Sequence, residues 1–245
     1  MVSTPPQRTR EIRHDIDGLR ALAVLIVVFY HIGLSDFGGG FIGVDVFFVI
    51  SGYLIIPTVR SQMMSGNFSL PSFMLRRLRR LVPALLPVLV FSSVIALLFS
   101  SDKAFADYAN SAVSASAFLS NYVFFDQSGY FGRGSDTILL LHSWSLGVEF
   151  QFYLILALLA LLVRSRLVLV LVVLSIASFA LAETLVRSGS AYAFFAISPR
   201  FWELAAGGLL GMLHIARPSV QRIGWVCGLR GSALSLLRQF CTAQP

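Results

Sequence analysis

Six runs of mostly apolar residues follow one another along this chain, at positions 16–33, 39–59, 81–99, 138–163, 167–186 and 197–213. Each is near the length that matters for a membrane, because about 20 helical residues cross a hydrocarbon core of about 30 Å. The chain is 56% hydrophobic and only 13% charged, where a soluble domain carries about 25% charged residues. With a mean hydropathy of +0.78, a soluble fold of this size lacks the polar surface to cover its apolar content. Lipid offers no partner to a peptide group, so each run must satisfy its own backbone as a helix; barrel strands would read as short alternating runs. The expected fold class is therefore all-α, a polytopic membrane helical bundle with about six transmembrane helices. The lipid bilayer is its first partner. No shift in composition divides the chain, so one membrane domain is expected over residues 16–216, between tails at 1–15 and 217–245.

Charge sets the expected orientation. With the N-terminus in the cytoplasm, Arg8, Arg10, Arg13, Arg60, Arg76, Arg77, Arg79, Arg80, Arg164, Arg166 and the tail arginines Arg217, Arg222, Arg230 and Arg238 all lie inside. Lys103, Arg133 and Arg187 lie outside, and so uneven a split predicts a cytoplasmic N-terminus in a multi-pass inner-membrane protein. Counting the segment 104–125 as a span would send Arg164 and Arg166 outside. It also carries Asp107, Asn110 and Asn121, so an interfacial or re-entrant helix is expected there. The net charge of +7 does not mark a nucleic-acid binder, because the basic residues sit between apolar runs rather than on a surface interleaved with aromatics. Cys227 and Cys241 are the only cysteines; they build neither a disulfide framework nor a metal site. The first run lacks a small-residue cleavage site and is read as a retained span.

Charged groups in hydrocarbon cost roughly 2.5–3.5 kcal/mol each on insertion scales, so each one calls for a reason. Arg20 and His31 are eleven residues apart, close to three helical turns, which puts both on one face about 16 Å apart along the axis. They suit either a snorkelling arginine with a boundary histidine or a functional pair. His142 and Glu149 stand seven apart, again on one face, with Glu149 about 10 Å deeper. A carboxylate at that depth implies either an ion pair with a neighbouring helix or proton transfer. Asp45 follows a glycine-rich entry to the second run, where helix packing explains the glycines more simply than a nucleotide loop does. Arg76, Arg77, Arg79 and Arg80 crowd a loop before the third run. They form either a positive-inside anchor or an anion site, since Arg76 shares a helical face with Arg79 and Arg80. Arg200 and Glu203 can pair within one turn.

Taken in order, these segments resemble the acyltransferase-3 family of membrane O-acyltransferases, which includes bacterial O-acetylases of lipopolysaccharide and peptidoglycan. The resemblance rests on Arg20 through His31, which is similar to the family's Arg-x10-His first helix. It rests also on Gly43-Val44-Asp45-Val46-Phe47-Phe48 through Ser51-Gly52, and on the Arg76-Arg77-Leu78-Arg79-Arg80 run, similar to an Arg-x-x-Arg cytoplasmic loop. His142-Ser143-Trp144-Ser145-Leu146 through Glu149 and Arg200-Phe201-Trp202-Glu203-Leu204 complete it. Phe150 stands where the family commonly has a second Glu, and the sequence after Arg217 departs from the family pattern. The family typically has about ten spans, so the resemblance leads to the expectation of a C-terminally truncated member.

The resemblance implies transfer of an acyl group, usually acetyl, from cytoplasmic acyl-CoA to a hydroxyl of a carbohydrate or glycolipid on the outer face. Acyl-CoA would be a donor substrate, with no tightly bound cofactor and no metal. By position His31 would be the catalytic histidine with Arg20 as partner. Arg77 and Arg80, within the cluster of Arg76 and Arg79, would hold the CoA phosphates. His142 and Glu149 would support proton transfer, and Asp45, Ser51, Arg200 and Glu203 would be structural or supporting. Two other readings remain at this point, an inactive remnant of such an enzyme and a membrane transporter subunit, since intramembrane charges also mark ion pathways.

Overall fold

The computed structural model of the chain describes residues 14–32, 39–128 and 139–216. Nearly all of the expected N-terminal tail, the C-terminal tail with both cysteines, Arg133, and the edge positions Gly33 and Ile138 of two expected spans lie outside the described residues. Nine α-helices are described, with a short 3-10 turn at Arg164–Arg166: α1 (His14–His31), α2 (Ile42–Met64), α3 (Leu70–Phe99), α4 (Asp102–Ser116), α5 (Ser120–Ser128), α6 (Ser143–Leu162), α7 (Leu167–Arg187), α8 (Tyr192–Phe195) and α9 (Ile197–Ala216). No strand occurs among the described residues. Ile42–Met64, Leu70–Phe99, Ser143–Leu162 and Arg164–Arg187 are long and apolar enough to cross a membrane. Helices α1 and α9, with 18 and 20 residues, have the length for about 27 and 30 Å, but each carries charged residues that lower its hydropathy.

Two expectations change. The arginine run, read as a loop, is helical: α3 starts at Leu70 with a proline in its first turn and runs 30 residues. A proline there gives up no hydrogen bond and presets φ for the helix, so the helix begins well before the apolar stretch does. The segment 104–125, read as one helix, is two, α4 and α5, of 15 and 9 residues. Phe118 breaks them with a φ of 57°, the left-handed region that non-glycine residues rarely enter. At about 22 and 14 Å, neither crosses a bilayer alone.

Helix α2 is the axis of the bundle. Tyr30 near the end of α1 lies over Gly40, just ahead of α2, while Gly43 faces Ala23, so α1 and α2 are antiparallel. Helix α9 runs parallel to α2, since Asp45 meets Arg200 and further along Tyr53 meets Gly211. Helix α6 also runs parallel, with Trp144 near Phe48 at one end and Arg164 donating to the Met63 carbonyl at the other, 3.1 Å. That last bond adds a cation to a carbonyl in the last turn of α2 that also accepts from the Gly66 amide at 3.1 Å, as the negative partial charge of a helix C-terminus favours. The bundle thus has a histidine end, with His31 and His142, and an arginine end, with Arg60, Arg76 and Arg164. Phe48, Ile55, Ile56, Phe152, Leu156 and Leu204 are fully or nearly fully buried among these helices.

The α2–α9 crossing is backbone against backbone. A Cβ on Gly52 would strike the Leu204 carbonyl, and one on Gly207 would strike the Val49 carbonyl. In lipid, small residues at such a crossing let van der Waals packing replace the missing hydrophobic drive. Gly52→Ala should therefore destabilise the protein by about 1–3 kcal/mol, the usual cost of overpacking. Gly18→Ala, where nothing lies within 4 Å, should be neutral. Thermal unfolding in detergent, followed by tryptophan fluorescence, reads both; equal midpoints would refute the backbone contact.

Candidate active site

The polar residues of α1, α2, α3 and α6 gather in a column inside the bundle. At the histidine end, His31 closes α1, with its Nδ1 2.8 Å from the Val27 carbonyl. His142 directly precedes α6 as its N-cap, and the two imidazoles are within electrostatic reach of each other. The sequence expectation had His142 inside the fourth span; instead the helix starts one residue later. Both histidines are exposed.

Deeper along α6, Glu149 is 3% exposed. Ser51 of α2 donates to its Oε1 at 2.6 Å, and the Tyr153 hydroxyl donates to the same oxygen. Among the described residues no arginine comes within ion-pair distance of Glu149, and its direct partners are the two hydroxyls. Two hydroxyls from different helices fill the lone pairs of one oxygen.

The arginines approach the same residues from the other side. Arg20 is half-buried, with its guanidinium 5.6 Å from the Phe47 ring. It lies within electrostatic reach of Arg80, Glu149 and Asp17. Arg77 is half-buried between the rings of Phe73 and Tyr153, at 5.5 and 5.7 Å, and it too lies within electrostatic reach of Glu149. The arginine run therefore splits. Arg77 turns to the column, Arg80 is exposed but within electrostatic reach of Arg20 and Arg77, Arg76 reaches Gln62 of α2 at 3.3 Å, and Arg79 is exposed. Nε and Nη2 of Arg20 and Nε of Arg77 are buried without an acceptor among the described residues. Buried donors of that kind are rare, and the oxygens of an anion are the acceptors that suit them best.

A second cluster ties the histidine end together. Arg200 of α9 is 7% exposed. It pairs with Asp45 at 2.6 Å and Glu203 at 3.0 Å, and its Nε donates to the Phe194 carbonyl at 2.5 Å. Its guanidinium lies 5.2 Å from the Trp144 ring and 4.8 Å from the Phe194 ring. One side chain thus joins α2, α6, α8 and α9. The structure brings the expected supporting residues Asp45, Arg200 and Glu203 together.

Sequence reasoning passed over three of these residues. Tyr153 stands four after Glu149, a spacing that makes helical neighbours. Asn121 and Gln151 form an amide clasp: Gln151 Nε2 donates to Asn121 Oδ1 at 2.8 Å and to the Phe118 carbonyl at 2.9 Å, while Asn121 Nδ2 donates to the Phe195 carbonyl at 3.1 Å. That clasp fastens the break between α4 and α5 to α6. No local spacing announces it, because its partners are 30 residues apart.

A family model described as an acyltransferase domain matches residues 13–242, and the chain belongs to the acyltransferase-3 family. The match continues past Arg217 to near the end of the sequence. A putative membrane-bound transacylase, BcsY of Komagataeibacter xylinus, is 40% identical over 215 residues, covering 86% of this chain and 53% of that protein. The peptidoglycan O-acetyltransferase OatA of Listeria monocytogenes is 40% identical over 149 residues, 60% of this chain and 24% of the relative. The putative peptidoglycan O-acetyltransferase YrhL of Bacillus subtilis is 33% identical over 211 residues, 81% and 33%. The chain therefore spans about half the length of one of these relatives and less of the other two. No solved structure matches it.

Removing Arg200 strands two carboxylates, and breaking a buried pair from one side costs about 3–5 kcal/mol. Arg200→Leu should accordingly lower the unfolding midpoint in detergent far more than Asp45→Asn, since Asp45 is partly exposed. Arg200→Lys should recover little, having neither the planar fork nor the stacking. Full recovery by lysine would reduce the cluster to a point charge.

Proposed function

We propose that this chain is the catalytic portion of a membrane O-acyltransferase that moves an acyl group, most simply acetyl, from acyl-CoA to a carbohydrate hydroxyl of the cell envelope. The observation that carries the proposal is the column itself, with two histidines at one end, Glu149 between, and two arginines with unfilled donors beyond. The names of the relatives, two of them peptidoglycan O-acetyltransferases, favour a cell-envelope glycan as acceptor.

In this reading the N-terminus and the arginine end face the cytoplasm, where CoA is found, and the protein resides in the inner membrane. Arg77 and Arg80, helped by Arg20, receive the phosphates of the donor through charge-assisted hydrogen bonds. Arg76 and Arg79 stand beside them and raise the local positive potential. The acceptor hydroxyl attacks the thioester carbonyl, the C–O bond forms, and the C–S bond breaks. His31 takes the hydroxyl proton, which leaves finally on the CoA thiol. Imidazole suits that task near neutral pH. His142, within reach of His31, and Glu149 below it continue the proton path, while Asp45, Arg200 and Glu203 keep the helices in register.

Turnover of labelled acetyl-CoA by the purified protein tests the reading. His31→Gln should lower kcat by about 10²–10⁴, the usual contribution of a general base. Arg77→Ala with Arg80→Ala should raise the donor KM and leave the acceptor KM nearly unchanged. Near-normal turnover in both His31→Gln and His142→Ala would overturn the mechanism. Orientation is tested separately: reporters fused after Arg166 should read cytoplasm and those after Gln127 the opposite face, and a cytoplasmic signal at Gln127 would reverse the assignment.

A further inference from the structure

Resting on the acyl-transfer reading, we infer that Tyr153 and Ser51 are positioning residues that fix Glu149 through Oε1 and so reserve Oε2 as its proton-handling oxygen. Both donors converge on Oε1, Ser51 Oγ at 2.6 Å and the Tyr153 hydroxyl from one turn further along α6. A carboxylate oxygen offers two lone-pair sites, so Oε1 is filled. Among the described residues no donor meets Oε2. The two hydroxyls come from different helices, α2 and α6, which prevents the carboxylate from rotating about its last bond. A proton entering or leaving Glu149 therefore does so at Oε2.

Tyr153 has a second contact that gives it a distinct place. Its ring, 1% exposed, lies 5.7 Å from the Arg77 guanidinium and edge-on to Phe73 at 6.3 Å. The same side chain thus supports the arginine that meets the donor and holds the carboxylate that handles the proton. Ring and hydroxyl have separable tasks, since the cation–π contact needs only the ring and the hydrogen bond only the hydroxyl. Ser51 has the second task alone.

The experiment compares Tyr153→Phe, Tyr153→Leu and Ser51→Ala in the purified full chain, with acetyl-CoA as donor. Tyr153→Phe should lower kcat by about 10-fold or more, the worth of one hydrogen bond to a charged group, with donor KM unchanged. Tyr153→Leu should lose as much kcat and also raise donor KM several-fold. Ser51→Ala should behave like Tyr153→Phe. A Tyr153→Phe variant with normal kcat, or with kcat and donor KM changed together, would overturn the inference. Infrared difference spectra separate this from failure of the acyl-transfer reading. The Glu149 carboxylate band, identified as the band lost in Glu149→Gln, should shift in Tyr153→Phe and in Ser51→Ala whether or not the protein turns over acetyl-CoA. An unmoved band would refute the pinning by itself, and a shifted band without turnover in the wild-type chain would leave the pinning supported and refute only the acyl transfer.

Discussion

Helices in a bilayer gain nothing by hiding apolar surface from one another, because the lipid is as apolar as they are. What holds α2 and α9 together is therefore contact, and at Gly52 and Gly207 the contact is between main chains, with no room for a Cβ. The rest of the column depends on that crossing. It sets the depth at which Asp45 on α2 meets Arg200 on α9. Trp144 is fixed in turn by the Arg200 guanidinium beside its ring, and Trp144 begins α6, which carries Glu149. Ser51, adjacent to Gly52 in sequence, then finds Glu149 at 2.6 Å. A shift of α9 by a fraction of a turn would lose both the ion pair and, through α6, the hydrogen bond.

The polar groups supply the second kind of cohesion. Several buried ones are tied to a different helix from their own: Ser178 of α7 donates to the Ser198 carbonyl at 2.6 Å and accepts from the Trp202 amide at 3.1 Å. Tyr108 of α4 sits among Leu89, Ser92 and Ser93 of α3. Away from water such bonds have no solvent competitor, and an orphaned group would be expensive. Arg20 and Arg77 break that pattern with unfilled donors. Four other side chains, Ser120, Ser143, Ser175 and His214, also keep an unpartnered buried atom among the described residues, but only Arg20 and Arg77 bring unfilled donors that carry a full positive charge.

Much of this was legible in the sequence, for physical reasons that also explain the rest. Apolar runs of membrane length announce helices, and the fixed rise per residue put Arg20 and His31 on one face; the structure brings Arg20 toward Glu149 and His31 toward His142. The pairing of Arg200 with Glu203 follows from a spacing of three. Boundaries were less visible. Hydropathy drops at the Arg76–Arg80 run, yet helix propensity does not, so α3 continues through residues that read as a loop. The break at Phe118 was hidden because a left-handed residue is expected to be glycine or asparagine. Contacts between distant helices, such as the Asn121–Gln151 clasp, carry no periodic signal at all.

Phe150 illustrates how the structure settles a point that the family pattern left open. The resemblance would place a second acid there, and its absence raises the question of whether the column lacks a charge. Successive residues on a helix project about 100° apart, so positions 149 and 150 cannot both face Ser51. Glu149 does, and Phe150 instead stacks on Phe118 with ring centroids 4.2 Å apart and planes within 17°. That ring lies at the very residue where α4 and α5 part, beside the Gln151 bond to the Phe118 carbonyl. An acid at 150 would meet this junction rather than the column. The substitution therefore leaves the column with its single carboxylate, and it adds aromatic packing, worth about 0.5–1.5 kcal/mol for such a pair, to the joint that holds the broken helix against α6.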